Sequence, residues 1–531
     1  MVFTVGVLVS FLLYVIIGII LTRKIRNVED YFVSGRNAPV ILIAGSSVAS
    51  LASTVIFMGD ISFAYDGYAL PLMVLAVLHG SGFVFGTFLF GRYLRRSRSL
   101  TLPEYFGKRF HSNRVRKATA ITSILGITAY LMSVSQGVSL LLSQISGMPY
   151  SVAVIIATGV VVSFTFLSGA KGVLFTDTLM FFIFLVAVFI SIPYIIHLAG
   201  GWPTAVINTA FLESKPDMLS WHGITGDGAF MGTPFEAIAW FVIMGIAWSI
   251  VGSVGPWQTS RYMMAKNEQV ALRGGIVALI SYAFMLIILH FGAAIISSIN
   301  DAVDPSSHVY IWSAMNLMPV WMGVIVLSGI MAAGLSSAST FLQLIGNSVA
   351  YDLIDHSDRP RESLLKYSRA VMLIIGIVVL LLNLWQPPAI VWISYFAATL
   401  FAASWGPATF ASVFSKKVNE TGAFWSIIVG FLVVLITNFL DTFMGIAFPV
   451  YFDPVILGMI SALITLILGI KFGGDVTAEE REFQNYILTP SEGQTQNDIA
   501  VTRKYANVLI VGGVVLVLFT FVFYFVPIHF M

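Results

Sequence analysis

Two adjacent hydroxyls, Ser336 and Ser337, lie inside an apolar run that reads Ala332-Ala333-Gly334-Leu335-Ser336-Ser337-Ala338-Ser339-Thr340. A bare Na⁺ requires a handful of hard oxygen ligands. A helix commits its own carbonyls to its ladder, so it can offer a cation hydroxyls but few carbonyls. Ala333 stands one turn earlier. A broken partner helix would supply the missing carbonyls. The competing use of such a cluster is hydrogen bonding back to the preceding turn.

Two other apolar runs read as broken helices. One is Gly45-Ser46-Ser47-Val48-Ala49-Ser50-Leu51-Ala52-Ser53-Thr54, followed by Met58-Gly59-Asp60; the other is Met244-Gly245-Ile246-Ala247-Trp248, followed by Val251-Gly252-Ser253-Val254-Gly255-Pro256. Glycine and proline weaken a helix, and helices broken at mid-membrane expose backbone groups to ions and solutes. Small residues also let helices pack closely with no ion present. The two runs are five spans apart, the offset expected of partners in a five-plus-five inverted repeat. Asp60 is a carboxylate at depth, a functional-site candidate by default. It could meet a solute amine, join a cation site or carry a proton, or be solvated near the outer mouth, since Asp66 and Gly67 soon end the span. His79 and His290 lie in apolar spans and read as hydrogen-bonded packing residues.

The composition says what must position these groups. Hydrophobic residues make up 58% of the 531 and charged residues only 10%, against about 25% charged in a soluble domain. Lipid is therefore the solvent. Apolar runs give about fourteen spans, near residues 2–21, 40–65, 70–91, 118–143, 150–168, 173–198, 235–255, 274–298, 318–350, 368–385, 388–414, 421–440, 450–470 and 506–527. Of 28 Lys and Arg residues, 27 fall in alternate connectors: Arg23–Arg36, Arg92–Lys117, Lys171, Arg261–Arg273, Arg359–Arg369, Lys416–Lys417 and Lys471–Lys504. Lys215 alone lies in the opposite set. By the positive-inside rule the basic loops are cytoplasmic and both termini lie outside. Arg261, Lys266 and Arg273 read as topology signals in an inner loop. Met1–Leu21 has no basic residue before its apolar core, so it reads as a retained helix rather than a signal peptide. The segment 471–505 reads as a flexible or partly helical inner linker. There is no cysteine, which excludes disulfides, thiolate metal sites and cysteine nucleophiles. A net charge of +2 gives no case for nucleic acid. No phosphate loop, metal cluster or triad is placed for chemistry, so an enzyme is not expected.

Several segments, in order, resemble the sodium:solute symporter family. Asp30-Tyr31-Phe32-Val33-Ser34-Gly35-Arg36 is similar to the loop after its first helix, and Thr101-Leu102-Pro103-Glu104-Tyr105-Phe106 with Arg109-Phe110 to its next inner signature. Gly169-Ala170-Lys171-Gly172 with Phe175-Thr176-Asp177 resembles the start of its fifth core helix. Ala332–Ser337, ending at Asp352-Leu353, resembles its eighth. The likeness covers roughly residues 1–415. It implies an all-α integral membrane protein with a leucine-transporter-like five-plus-five core. The units would be 1–36, an extra helix and loop; 37–199, the first repeat; 200–234, an external loop; 235–415, the second repeat; and 416–531, C-terminal helices.

The resemblance also implies one sodium site between the first and eighth core helices. Ala49, Ala52 and Ala333 would give carbonyls, Ser336 and Ser337 hydroxyls, and Asp177 would lie on the inner exit path. Ser53, Asp60, Gln136, Trp240, Trp248, Trp392 and Ser394 are the candidates to face a solute. Met180 departs from the family's usual glutamine, and Asp60 from its uncharged residue. The expected function is sodium-coupled uptake of a small organic solute, a carboxylate or amino acid, by alternating access. Na⁺ is the coupling ion, with no other cofactor, in a monomer embedded in the plasma membrane (the inner membrane of a bacterium). A proton-coupled carrier on the same fold, with Asp60 as the proton site, and a passive channel are the alternatives.

Overall fold

The computed structural model describes residues 2–22, 28–354, 361–385, 390–490 and 495–530. Arg23, Lys24, Arg26 and Arg359 of the basic set lie outside the described residues. Those described form helices and loops with two isolated bridges, one joining Ala38 to Ala265. The helices used below are α1 (Val2–Thr22), α2 (Val40–Leu51), α3 (Ala69–Gly86), α4 (Leu102–Arg109), α5 (Asn113–Ser146), α6 (Tyr150–Leu198), α7 (Pro234–Val254), α8 (Pro256–Met264), α9 (Glu268–Ile299), α10 (Val320–Ser348), α11 (Arg361–Trp385), α12 (Ile390–Phe414), α13 (Glu420–Met444), α14 (Pro454–Phe472), α15 (Ala478–Leu488) and α16 (Gln496–Thr520). Local chemistry starts them. Thr233 and Glu236 form a reciprocal capping box at α7, with Pro234 in the first turn. Thr101 accepts the Glu104 N–H at the start of α4, and Ser112 that of Val115 at α5.

Among the described residues, eleven helices are long and apolar enough to cross a membrane. Three shorter apolar helices are Val2–Gly18, Val40–Leu51 and Tyr150–Phe166. The 49 residues of α6 would extend about 73 Å if straight, more than twice a hydrocarbon core of about 30 Å. Both ends lie at one face instead. Thr4 donates to Ile145 O just before α6 (2.7 Å), and its neighbour Gly6 packs on Val324. Near the far end, Ser191 bonds Tyr310 at 2.7 Å, ahead of α10. Within α6, Ala170–Leu198 is long and apolar enough to cross a membrane, and Tyr150–Phe166 is a shorter apolar helix.

Burial separates a core from its lipid-facing jacket. Nearly all of the middle of α10 is buried, including every residue from Val326 to Gln343, whereas Val511 and Val517 of α16 are 61% and 67% exposed. The second broken segment, α7, packs closely on α3. Gly82 and Gly86 of α3 let α7 approach backbone to backbone: a Cβ at Gly86 would meet Ser253 Cα at 2.6 Å, and one at Gly82 would strike Ser249 O. A side chain there would force the helices apart. The segment 471–505, read as a flexible or partly helical linker, carries the helix α15. Within it α15 docks by Gln484, which donates to Val413 O and Ser415 O (2.8 and 3.0 Å), while Arg109 donates to Ser412 O at 2.6 Å and to Glu480 O. Arg96 reaches Ile487 O and Leu488 O and pairs with Glu268.

Candidate ion and solute site

The helical ladder of α2 stops where the sequence turns small and hydroxylic. In an uninterrupted helix the Ser53 N–H would bond Ala49 O, and that of Ile56 would bond Ala52 O. Here Ser53 N–H turns to Leu51 O (2.9 Å), Ile56 N–H to Ser53 O (3.1 Å) and Val55 N–H to Ser53 Oγ (3.2 Å). The ladder thus releases the carbonyls of Ala49 and Ala52. Ser53 caps this break. A wider helical turn then runs from Val55 to Asp60, and a second break falls at Gly67, whose φ of 111° a side chain would strain.

Against this break lies α10. Ser337 Oγ donates to Ala49 O and Ser50 O, each at 3.3 Å. Ser336 Oγ donates to Asp177 Oδ1 at 2.8 Å, so its proton is committed and its lone pairs remain for a cation. Ala333, one turn away, is fully buried. The preceding-turn alternative is seen at Ser339, which bonds Ser336 O, while Ser336 and Ser337 both reach across to other helices.

Asp177 is fully buried on α6 and is the hub of a polar cluster. It accepts from Ser46 Oγ (2.8 Å), Ser336 Oγ and Arg261 Nη2 (2.6 Å). Arg261 corrects the sequence reading. It sits on α8, just past the break at Gly255–Pro256, with its side chain 2% exposed. It also donates to Ser46 Oγ, Thr340 Oγ1 and Ser260 Oγ. Charge alone marked Arg261 as a loop residue; the polar string Gln258-Thr259-Ser260-Arg261 behind a proline was the missed signal. Gln258 adds a bond to Ser47 O at 3.0 Å. Both broken helices are thereby tied to one carboxylate.

On the other side of the break, Asp60 lines a small cavity of about 10 Å³ with His79, Tyr130, Trp248 and Tyr395, room for roughly one water. His290, read as a packing residue, has its Nε2 at 3.7 Å from Asp60 Oδ2. Trp240 and Trp392 belong instead to an aromatic cluster nearer the opposite face, where Phe230 of the long loop packs on both at 4.9 and 5.6 Å. Trp392 is 51% exposed and faces an outer cavity of about 710 Å³, on whose walls Trp240 and Tyr395 also lie. Ser394 is buried but bonds its own turn at Val391 O. Gln136 is buried on α5. The loop is pinned by Lys215, whose Nζ donates to Tyr65 O at 2.7 Å over the Tyr65 ring. Burial holds that ammonium below the usual lysine range. No group of three or more acidic, His or Cys side chains able to hold a metal ion occurs among the described residues.

This is the architecture of a helical membrane carrier with discontinuous central helices. Among solved structures, a Na⁺-coupled sialic acid symporter in a substrate-bound outward-open state superposes with a TM-score of 0.75 at 17% identity, covering 90% of this chain and 99% of that one. Inward-facing Mhp1 gives 0.54 at 12% identity, over 85% and 97%. These likenesses show an all-helical, leucine-transporter-like fold. The sodium:solute symporter family profile matches residues 31–430, and the chain belongs to that family. Similar chains include the sodium/proline symporter of Escherichia coli K12, 26% identical over 81% of this chain and 87% of the other. Its sodium/pantothenate symporter is 22% identical over 84% and 91%. The osmoregulated proline transporter OpuE of Bacillus subtilis is 26% identical over 86% and 94%. The chain is a multi-pass membrane transporter, not an enzyme.

Proposed function

We propose that the protein carries a small organic solute into the cell together with Na⁺. The observation that carries this reading is the pairing of ladder-free carbonyls at Ala49 and Ala52 with the Ser336 and Ser337 hydroxyls. Together with Ala333 O they form a set of hard oxygens suited to Na⁺. Asp177, one hydrogen bond behind Ser336, adds negative charge close by, and releasing Ser336 to the ion would loosen the Asp177–Arg261 cluster that ties the broken helices. Asp177 then lies on the path by which Na⁺ leaves. Relatives named as sodium symporters support the coupling ion.

The core follows a five-plus-five plan within fourteen spans. The packing supports it: α3 lies along α7 as α9 lies along α2, and α6 along α10 as α12 lies along α5. The repeats are 37–199 and 235–415, joined by 200–234, with 1–36 and 416–531 as additions. The basic face is cytoplasmic, the membrane is the plasma membrane, and one chain is sufficient. The inward gradient drives uptake, and the potential alone contributes about 2.3 kcal/mol per Na⁺ per 100 mV. Uptake into proteoliposomes with and without a Na⁺ gradient tests this. A solute that accumulates only with the gradient supports symport; uptake that equilibrates regardless of Na⁺ means a passive facilitator.

A further inference from the structure

Asp60 has no structural partner equal to its cost. It is buried, and a buried ionised carboxylate is expensive unless hydrogen-bonded or paired. Among the described residues none donates a hydrogen bond to it; its nearest polar partner, His290 Nε2, is at 3.7 Å. Its surroundings hold further unspent hydrogen-bonding capacity. His79 Nδ1 bonds the Tyr282 hydroxyl at 2.8 Å, which leaves His79 Nε2 without a partner. The Tyr395 hydroxyl and both nitrogens of His290 are likewise buried and without a hydrogen bond, His290 Nε2 facing Asp60 only across its 3.7 Å separation. A buried polar group left without a hydrogen bond is costly, so this gathering of them beside Asp60 indicates a group that arrives from elsewhere.

The walls indicate its charge. Tyr130, Trp248 and Tyr395 wall the cavity beside Asp60 as successive edge-to-face rings, with centroids 5.9 Å apart for Tyr130–Trp248 and 6.1 Å for Trp248–Tyr395. No Lys or Arg lines the cavity. Aromatic faces attract a cation and a carboxylate neutralises it, whereas a solute anion placed here would meet a like charge and no counter-charge. The cavity abuts Leu51 and Val55, either side of the break that carries the ion ligands, and Tyr395 also borders the outer cavity. A solute entering from that side passes from one chamber to the other by displacing the Trp240–Tyr395 partition.

We propose that the transported solute carries a positively charged nitrogen, which the Asp60 carboxylate receives between Tyr130, Trp248 and Tyr395 once displacement of the Trp240–Tyr395 partition joins the one-water inner cavity to the larger one beside it. Of the solutes open to the symport reading, on which this rests, it selects those bearing an amine or quaternary ammonium and sets aside simple carboxylates. His79 Nε2 and the Tyr395 hydroxyl are placed to bond the solute's polar groups beside that nitrogen.

The test is ligand-induced thermal stabilisation of the purified full chain in Na⁺. Proline, lysine, choline and ethanolamine are compared with lactate, pyruvate and pantothenate, for the parent and for Asp60→Asn and Asp60→Glu. At least one cationic-nitrogen probe should stabilise the parent and none of the last three should. Its apparent affinity should fall at least tenfold in Asp60→Asn, about 1.4 kcal/mol, and be partly kept in Asp60→Glu, while the shift produced by Na⁺ alone stays as in the parent. Stabilisation by lactate, pyruvate or pantothenate, or by no cationic probe while Na⁺ still acts, overturns the proposal. So does an Asp60→Asn chain that changes only the pH profile of binding, which would make Asp60 a proton carrier. Should Asp60→Asn not insert, the ranking of probes on the parent decides. No Na⁺ shift in the parent would instead bring down the symport reading, and this inference with it.

Discussion

Ser336 and Ser337 can be tested with the least disturbance, because serine to alanine removes one oxygen and keeps the helix. Replacing both withdraws two of the five proposed ligands. The apparent sodium constant for uptake should rise at least tenfold, about 1.4 kcal/mol; an unchanged sodium dependence would place the ion elsewhere. Arg261 makes the opposite case. Its guanidinium is buried with Asp177 at 2.6 Å, and removing one partner of such a pair leaves an uncompensated buried charge, at roughly 3–5 kcal/mol. Arg261→Ala should therefore lower the melting temperature clearly, and Arg261→Ala with Asp177→Asn should recover most of the loss. Equal losses in both would mean that Arg261 acts through packing and not through charge. The hydroxyl pair was legible in the sequence because adjacent serines in an apolar run are a local signal. The Asp177–Arg261 pair was not, since it joins residues on two helices far apart in the chain whose crossing no local pattern states.

Helices were legible where composition punctuates them. The small-residue string ending at Thr54 stops α2 at Leu51, and Gly255–Pro256 separates α7 from α8 with Gly255 at φ −57° and ψ 143°. What the sequence left unread was the function of each aromatic residue. Trp240, Trp248 and Trp392 look alike in an apolar run, yet Trp248 walls the inner cavity and the others close the outer cluster. Close packing of α3 on α7 gives an element-scale prediction. Gly82→Val would drive a side chain into the Ser249 carbonyl, while Gly513→Val on α16 meets nothing within 4 Å. The monodisperse yield after solubilisation should collapse for the first and match the parent for the second. Matching yields for both would mean that α3 and α7 are free to separate.

For the whole molecule the informative quantity is where charge is absent. Only Lys215 departs from the basic face, and it is spoken for, bonded to Tyr65 O and Ser297 Oγ and lying over an aromatic ring. A lysine so engaged, on the face opposite the other basic residues, latches the loop that carries Phe230. The remaining basic residues can then be taken as one face. Several anchor that face structurally: Arg36 donates to Arg98 O and Ser99 O, and Arg95 to Ala265 O at 2.6 Å. Connectors of the opposite face hold no other Lys or Arg, so no competing signal pulls any loop across. With an even number of spans, both chain ends fall opposite the basic face. A reporter fused after Met531 should be active only in its external form, and one inserted between Lys416 and Lys417 only in its cytoplasmic form. Two cytoplasmic signals would make the number of crossings between Lys417 and Met531 even, and would put one of α13, α14 and α16 along the membrane surface instead of through it.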